Sequence, residues 1–448
     1  MTRSLLARRS TRLAAGLTAV ALSLLATPAA ASAAVPLAAS SPHPAAGHRP
    51  DAITPAGPGA PRGARGMLSP HAARLPLLAK VRRWTAAGRP VLAAGAPGGY
   101  TATELRAYLQ LAGTGAGQTV AIVDAYDDPY AQHDITTYSK QFGLPLPCTK
   151  KRTTGCFSFQ AVHPFGLGGI NTDGQDWTLE QSLDVDMVHA MAPQASIVLV
   201  EARNSNAGLY RALGYAAGLH PAVLSLSWGG TESAGETKRD HYCQLATGVC
   251  TASAGDNGYP GGYPAYNPAV VAVGGTTLNL TLAGTVTSET AWSLNSCSSG
   301  GATGGGVSAY EPRPAYQDQV NPYPNRGTPD VSFDANPCTG VAVYTTADGG
   351  WIEVGGTSAG SPAWAGILAS ADQLRAAAGK PALTSAGYAA QQALYGLATG
   401  QDGRPLYDVT SGSNGSCGAV CTAGPGYDFV TGLGSPRPGI DTALAAAP

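Results

Sequence analysis

From Gly98 onward the chain alternates short, continuous apolar runs with stretches of helical periodicity. The apolar runs are Thr119–Asp124 (T-V-A-I-V-D), Ser196–Glu201 (S-I-V-L-V-E), Ala222–Ser227 (A-V-L-S-L-S), Cys250–Ala254 and Val270–Val273. Their apolar residues are consecutive rather than alternating, which marks strands buried on both faces. Helical spacing falls on Tyr130–Phe142, Trp177–Met191, Ala207–Leu219 and Ser358–Ala378. A further helix opens at Thr101-Ala102-Thr103-Glu104, a capping-box pattern followed by Leu105, Tyr108 and Leu109. The alternation predicts an α/β domain: a mostly parallel central sheet with helices on both faces. Sites in such sheets sit at the carboxyl ends of the strands. Asp124, Ser227-Trp228-Gly229 and Asp256 all fall at or just beyond strand ends.

Upstream the pattern changes. Met1–Arg12 is rich in arginine and carries no acid, Leu13–Ala26 is apolar, and Ala31-Ser32-Ala33 is a small-residue cleavage site. Residues 1–33 therefore read as a secretion signal peptide, with the mature chain starting near Ala34. The apolar run is too short to span a bilayer. The expected product is a secreted, extracellular protein, free of the membrane after signal cleavage and monomeric. Residues 34–98, rich in Pro, Ala, Gly and Arg, read as a short propeptide or linker with one short helix around Ala73–Ala86. Residues 99–448 form the folded domain.

Net charge is −1, only 12% of residues are charged, and no basic run follows the signal segment. Nothing here suits a nucleic-acid partner. Few basic residues also limit self-repulsion at acid pH, where carboxylates neutralise. Eight cysteines in an exported chain imply disulfides. Cys148 with Cys156, Cys243 with Cys250 and Cys417 with Cys421 are close in sequence, which leaves Cys297 and Cys338 to pair across a longer loop. Zinc is disfavoured, because no paired Cys-x-x-Cys motifs occur.

Four residues carry candidate chemistry. Gly355-Gly356-Thr357 is a small-residue turn that presents Ser358 at a helix start, where N–H groups favour developing negative charge. Pro362 is expected in the first turn, where its missing N–H costs little. A serine hydroxyl needs a base. Glu180 and Asp184 are four apart on one helix and share a face. Two carboxylates that close hold a proton between them. Their neighbours Trp177, Leu179, Leu183 and Val188 are apolar, which argues against a solvated helix face. Asp256, in A-S-A-G-D-N-G, would repel an oxyanion if ionised but can donate to one when protonated. Both features point to work at acid pH.

The ordered set of motifs resembles the sedolisins, or serine-carboxyl peptidases, over roughly Gly98–Pro448. The matching pieces are E-x-x-x-D-V-D with A-P-Q-A shortly after, S-L-S-W-G-G, A-S-A-G-D-N-G, T-P-D-V-S, G-G-T-S-A-G-S-P, and Y-D-V-T…G-P-G-Y-D-F-V-T-G-L-G-S-P. The resemblance implies a subtilisin-like fold with Ser358 as nucleophile, Glu180 as base, Asp184 as its partner and Asp256 as oxyanion donor. It makes Ser227, Trp228, Gly229 and Gly230 the substrate-binding segment. It implies one structural Ca²⁺ held by Asp408, Val409, Gly424, Gly426 and Asp428, of which Val409 and the glycines offer carbonyls; hard cations want such oxygens. The expected substrates are proteins or peptides, cleaved by an endopeptidase. The sequence departs from the pattern in three places. Sedolisins carry a long amino-terminal prodomain, whereas about sixty residues separate the signal from the catalytic region, too few for such a domain. Gly355 and Gly360 stand where serine is common. Subtilisins proper are the competing reading, with Asp124 placed as their catalytic acid, but no His-Gly-Thr occurs. His189 reads as a structural histidine. A secreted binding protein on the same scaffold is the alternative to an enzyme.

Overall fold

The computed structural model describes residues 69–70, 73–74, 98–169, 177–281, 284–297, 300–397, 399–400 and 404–448. The expected signal peptide and most of the segment 34–98 lie outside these. Eight strands form the central sheet. Their order is Val286–Ala291, Val270–Leu280, Val249–Ser253, Val223–Leu226, Thr119–Ala125, Ser196–Ala202 and Phe159–Val162, with Val331–Asp334 also paired to Val270–Leu280. Every pairing is parallel except that of Val286–Ala291, which is antiparallel.

The two faces of the sheet separate cleanly by residue parity. Val120, Ile122, Ile197 and Leu199 enter one apolar core, together with residues of the helices Trp177–Met191 and Thr357–Ala377. Ala121, Val123, Leu224 and Leu226 enter the other, with the helix Ala207–Gly218. Both faces are covered, as the continuous apolar runs require. The fold is subtilisin-like α/β, as expected. The capping box at Thr101 is present, with the Thr101 hydroxyl accepting from the Glu104 N–H and the Glu104 carboxylate accepting from the Thr101 N–H.

Two expectations need correction. The strand foreseen as Val270–Val273 runs on to Leu280. Gly274-Gly275 interrupts the apolar pattern but not the strand. A Cβ on Gly275 would lie 2.6 Å from the Cβ of Ala335, so glycine is what allows the neighbouring strand to pass. In place of the helix around Ala73–Ala86, Ala73–Arg74 is extended and pairs antiparallel with Val354–Gly355; the rest of that span lies outside the described residues. Ser69–Pro70 likewise pairs antiparallel with Trp228–Gly229. These partner segments offer backbone groups that an incoming chain can satisfy.

All four expected disulfides are formed: Cys148–Cys156, Cys243–Cys250, Cys297–Cys338 and Cys417–Cys421. Among the described residues no helix is long and apolar enough to cross a membrane.

The helices Trp177–Met191 and Thr357–Ala377 meet at a small-residue crossing. A Cβ on Gly366 would lie 2.5 Å from the Cβ of Met191. Gly366→Val is therefore expected to destabilise the fold by about 1–3 kcal/mol through overpacking, measured by denaturant unfolding. An unchanged midpoint would mean that the two helices have room to part.

Candidate active site

Every residue of the helix Trp177–Met191 is buried, polar ones included. A helix covered all round belongs to the interior rather than the surface. Glu180 and Asp184 are thus fully enclosed. Burial pushes the Asp184 carboxyl well above the usual range, and the negative charges of Asp124 and Glu180 push it further; an interaction with the Ser227 side chain opposes them. Asp124, at the end of the strand Thr119–Ala125, is itself pushed up to about 8 by burial. Asp184 and Asp124 therefore favour protons in a dry site that Glu180 shares.

Ser358 is the second residue of the helix Thr357–Ala377, and Gly356 forms its N-cap at φ +96°. That left-handed backbone is why glycine precedes the turn. The Ser358 hydroxyl donates to the Ser227 carbonyl at 3.2 Å, and the Ser227 hydroxyl lies 3.5 Å from the Ser358 carbonyl. This corrects the placement of Pro362. It is the sixth helical residue, past the first turn. Its missing N–H leaves the carbonyl four residues back, that of Ser358, without its helical donor. The Ser227 hydroxyl approaches that carbonyl instead.

Asp256 sits beside the start of the helix that carries Ser358. Its Oδ1 accepts from the Thr357 N–H and the Thr357 hydroxyl, each at 2.8 Å. The residue as a whole is half-buried, but Oδ2 is shut off from solvent and has no protein partner. Burial raises the carboxyl to about 7 against the pull of the Thr357 bonds. Because Oδ1 already takes two donors, the proton belongs on Oδ2, the atom left to donate.

The segment Ser227–Gly230 is held rigidly. The Trp228 indole N–H donates to the Val123 carbonyl at 2.6 Å, and Gly230 exchanges two backbone bonds with Tyr263. Its outer edge is the one paired with Ser69–Pro70.

His189 lies at the far end of the carboxylate helix and is fully buried. It is stacked on Phe157 at 4.1 Å, and its Nε2 bonds to the Pro145 carbonyl. Burial lowers it to about 3, so it is neutral and fills a structural place.

The tail brings Asp408 and Asp428 onto one loop. Asp408 Oδ2 accepts from the Gly426 N–H at 2.8 Å, and Asp428 Oδ2 from the Gly424 N–H at 3.1 Å. Thr431 links Asp428 to the Val409 carbonyl. The Cys417–Cys421 bridge braces the intervening loop. Both carboxylates accept N–H groups of the glycine loop here; the residue types present, two carboxylates and backbone carbonyls, are those that a hard cation takes.

One cluster escaped the sequence reading. Asp127, His163 and Glu201 bring ligand atoms within 4.8 Å of one another, with His163 Nδ1 2.9 Å from Glu201 Oε2. Burial raises Glu201 to about 8. Glu201 was legible as an acid closing an apolar strand; His163 belongs to no motif and could not be placed.

Comparison with known proteins agrees with this architecture. The Subtilase family matches residues 167–403. Kumamolisin from Bacillus sp. (strain MN-32) is 34% identical over 354 residues, covering 72% of this chain and 59% of kumamolisin. Sedolisin from Pseudomonas sp. (strain 101) is 32% identical over 378 residues, covering 77% of this chain and 61% of sedolisin. The solved structure of Pseudomonas sedolisin, a serine-carboxyl proteinase complexed with two molecules of pseudo-iodotyrostatin, superposes with a TM-score of 0.64 at 28% identity; 79% of this chain and 98% of that chain are covered. The sheet and the family match together define a subtilase-like serine peptidase fold. The chain belongs to the sedolisin family within it. It spans about three fifths of the length of the curated relatives it matches.

Proposed function

We propose that the chain is a secreted, acid-active serine-carboxyl endopeptidase that hydrolyses peptide bonds in proteins. The observation that supports it most is the enclosed carboxyl set of Glu180, Asp184 and Asp124, of which Asp184 meets the Ser227 side chain next to Ser358, with Asp256 bonded to the adjoining Thr357.

In this reading Glu180 takes the Ser358 proton as Oγ adds to the substrate carbonyl carbon. Asp184 and Asp124, kept largely protonated by burial, orient Glu180 and stabilise the charge it carries. The oxygen of the tetrahedral intermediate receives the proton-bearing Oδ2 of Asp256, together with N–H groups at the start of the nucleophile helix. The C–N bond breaks, and Glu180 passes its proton to the leaving amine. Water, activated by Glu180, then splits the acyl-enzyme. Ser227–Gly230 supplies the backbone edge along which the substrate lies.

Ca²⁺ would be held by Asp408, Asp428 and the carbonyls of Val409, Gly424 and Gly426. It supplies a structural cross-link for the tail and takes no part in the bond-breaking steps. Saturating Ca²⁺ at about 100 times its Kd is expected to add roughly 2.7 kcal/mol of stability, read as a rise in Tm over chelator-treated protein. Asp428→Asn removes most of that response. An identical Tm with and without Ca²⁺ would dismiss the site.

The catalytic reading is tested by mass spectrometry of the protein treated at pH 4 with a peptide aldehyde. One equivalent bound at Ser358, absent in Ser358→Ala, is the expected result. Adduct elsewhere, or none in folded protein, would return the chain to the alternative of a binding protein.

A further inference from the structure

Three neighbouring strands of the central sheet each bring one metal-binding side chain to their carboxyl end. Phe159–Val162, Ser196–Ala202 and Thr119–Ala125 lie side by side and parallel, with Ser196–Ala202 in the middle. His163 follows the first directly, Glu201 is the last residue but one of the second, and Asp127 stands two residues past the third. Tyr126 takes a left-handed backbone at φ +67°, and its N–H bonds to the Ala202 carbonyl at 2.7 Å, which ties the turn before Asp127 to the end of the Glu201 strand. One ligand atom from each of the three residues falls within 4.8 Å of the other two.

The contacts within the group are not those of an ordinary ion pair. His163 Nδ1 lies 2.9 Å from Glu201 Oε2, and Nε2 lies 3.6 Å from Asp127 Oδ1. Nδ1 and Oε2 are both shut off from solvent, yet neither makes a hydrogen bond. At that separation only poor alignment prevents one. Glu201 is 1% exposed, and a buried carboxylate oxygen left in this way calls for another partner. Its other oxygen, Oε1, is fixed by the Asp128 N–H at 2.8 Å, the kind of bond that orients a metal ligand from behind. The side chains of His163 and Asp127 are 30% and 19% exposed, which leaves a way in for an ion.

We propose that Asp127, His163 and Glu201 bind one divalent transition-metal ion, of which zinc is the representative, and that this ion ties together the ends of the three strands. An imidazole nitrogen beside carboxylate oxygens suits zinc and its neighbours, whereas calcium and magnesium take oxygen alone. The neutral imidazole and two ionised carboxylates match the ion's two positive charges. Three protein ligands leave one position of a tetrahedral zinc for water. The site is separate from the tail loop of Asp408 and Asp428, and it does not rest on the peptidase reading.

The test uses the full chain without an affinity tag. It is stripped with chelator, returned to saturating Ca²⁺ and titrated with zinc chloride at pH 7 by isothermal calorimetry. The expected result is one equivalent bound with micromolar affinity or better, accompanied by a rise in Tm. A group that merely orients a metal ligand is worth about 10–100-fold in affinity. His163→Ala and Glu201→Gln each remove a ligand, and are expected to weaken zinc by about 100-fold or more and to abolish the rise in Tm. Should Glu201→Gln fail to fold, Asp127→Asn, at a part-exposed position, is expected to weaken zinc at least tenfold. Asp428→Asn is expected to leave zinc binding unchanged. Zinc held as tightly by folded His163→Ala as by the wild type overturns the inference. So does the absence of zinc binding in wild-type protein that circular dichroism shows to be folded; His163 is then no more than a cation between two carboxylates.

Discussion

Thermal stability is expected to fall steeply as the pH rises from 4 to 8. The cause is the set of enclosed carboxyls. Asp124 is pushed up to about 8 and Asp256 to about 7, and Asp184 is held well above the usual range, each chiefly by burial. In the unfolded chain the same groups ionise near 4. The sign follows from linkage. A raised native pKa means that the folded state keeps protons the unfolded state has lost. The stabilising contribution is whole below about pH 4, shrinks as the unfolded chain ionises, and is gone once pH passes the folded values near 7 to 8. A tenfold difference in proton affinity between the folded and unfolded chain is worth about 1.4 kcal/mol, so Asp124 alone accounts for something on the order of 5 kcal/mol across that window. Typical domains hold only about 5–15 kcal/mol in total. Differential scanning calorimetry at pH 4, 6 and 8 is expected to show Tm dropping monotonically, and Asp124→Asn to flatten the drop. A Tm that is level or rises towards pH 8 would mean that these carboxyls are ionised in the folded protein, which would remove the basis for an acid-adapted site.

Much of this site was open to sequence reasoning because its chemistry is written in local patterns. Glu180 and Asp184 share a helix face by spacing alone, and their apolar neighbours foretold burial. Ser358 was marked by the glycine turn before it, and Asp124 and Asp256 by their positions after apolar strands. The resemblance to the sedolisins then gave these residues distinct roles, and the family match agrees with that resemblance. What sequence patterns could not give was anything decided by distant partners. The strand from Val270 runs on through two glycines where Ala335, just past the strand Val331–Asp334, leaves no room for a Cβ on Gly275. Pro362 is tolerated in the second helical turn because Ser227, 131 residues away from Ser358, approaches the carbonyl that it strands. Asp127, His163 and Glu201 come from three separate segments and meet only in the fold. The pairings of Ser69–Pro70 and Ala73–Arg74 were missed for the same reason. Composition suggested a linker, whereas each of these residue pairs is extended along the edge it pairs with.

Substitution at the nucleophile is expected to have the largest effect on turnover, and substitution at Asp256 the most informative one. Ser358→Ala removes the only atom proposed to bond covalently to substrate and is expected to lower kcat by about 10⁴-fold or more, as nucleophile deletions do in triad hydrolases. Glu180→Gln keeps the shape but cannot accept the proton, and is expected to lose a comparable factor. Asp256→Ala removes one oxyanion donor, for a loss of about 10²–10³ at every pH. Asp256→Asn separates the roles of shape and charge. An amide N–H donates whether or not protons are plentiful, whereas the native carboxyl stops donating as pH passes about 7. In the wild-type enzyme kcat is therefore expected to fall as pH rises through that value. In Asp256→Asn the fall is displaced upward, to where the remaining carboxyls ionise, with acid-side activity retained to a much greater degree than in the alanine variant. The measurement is kcat against pH from 3 to 8 on a soluble peptide substrate, restricted to conditions where circular dichroism shows folded protein. If the asparagine variant follows the wild-type curve across the alkaline limb, Asp256 does not govern that limb, and the oxyanion must be held by the helix N–H groups alone. If the alanine variant is as active as wild type, Asp256 does no more than brace Thr357 through the two bonds it accepts there.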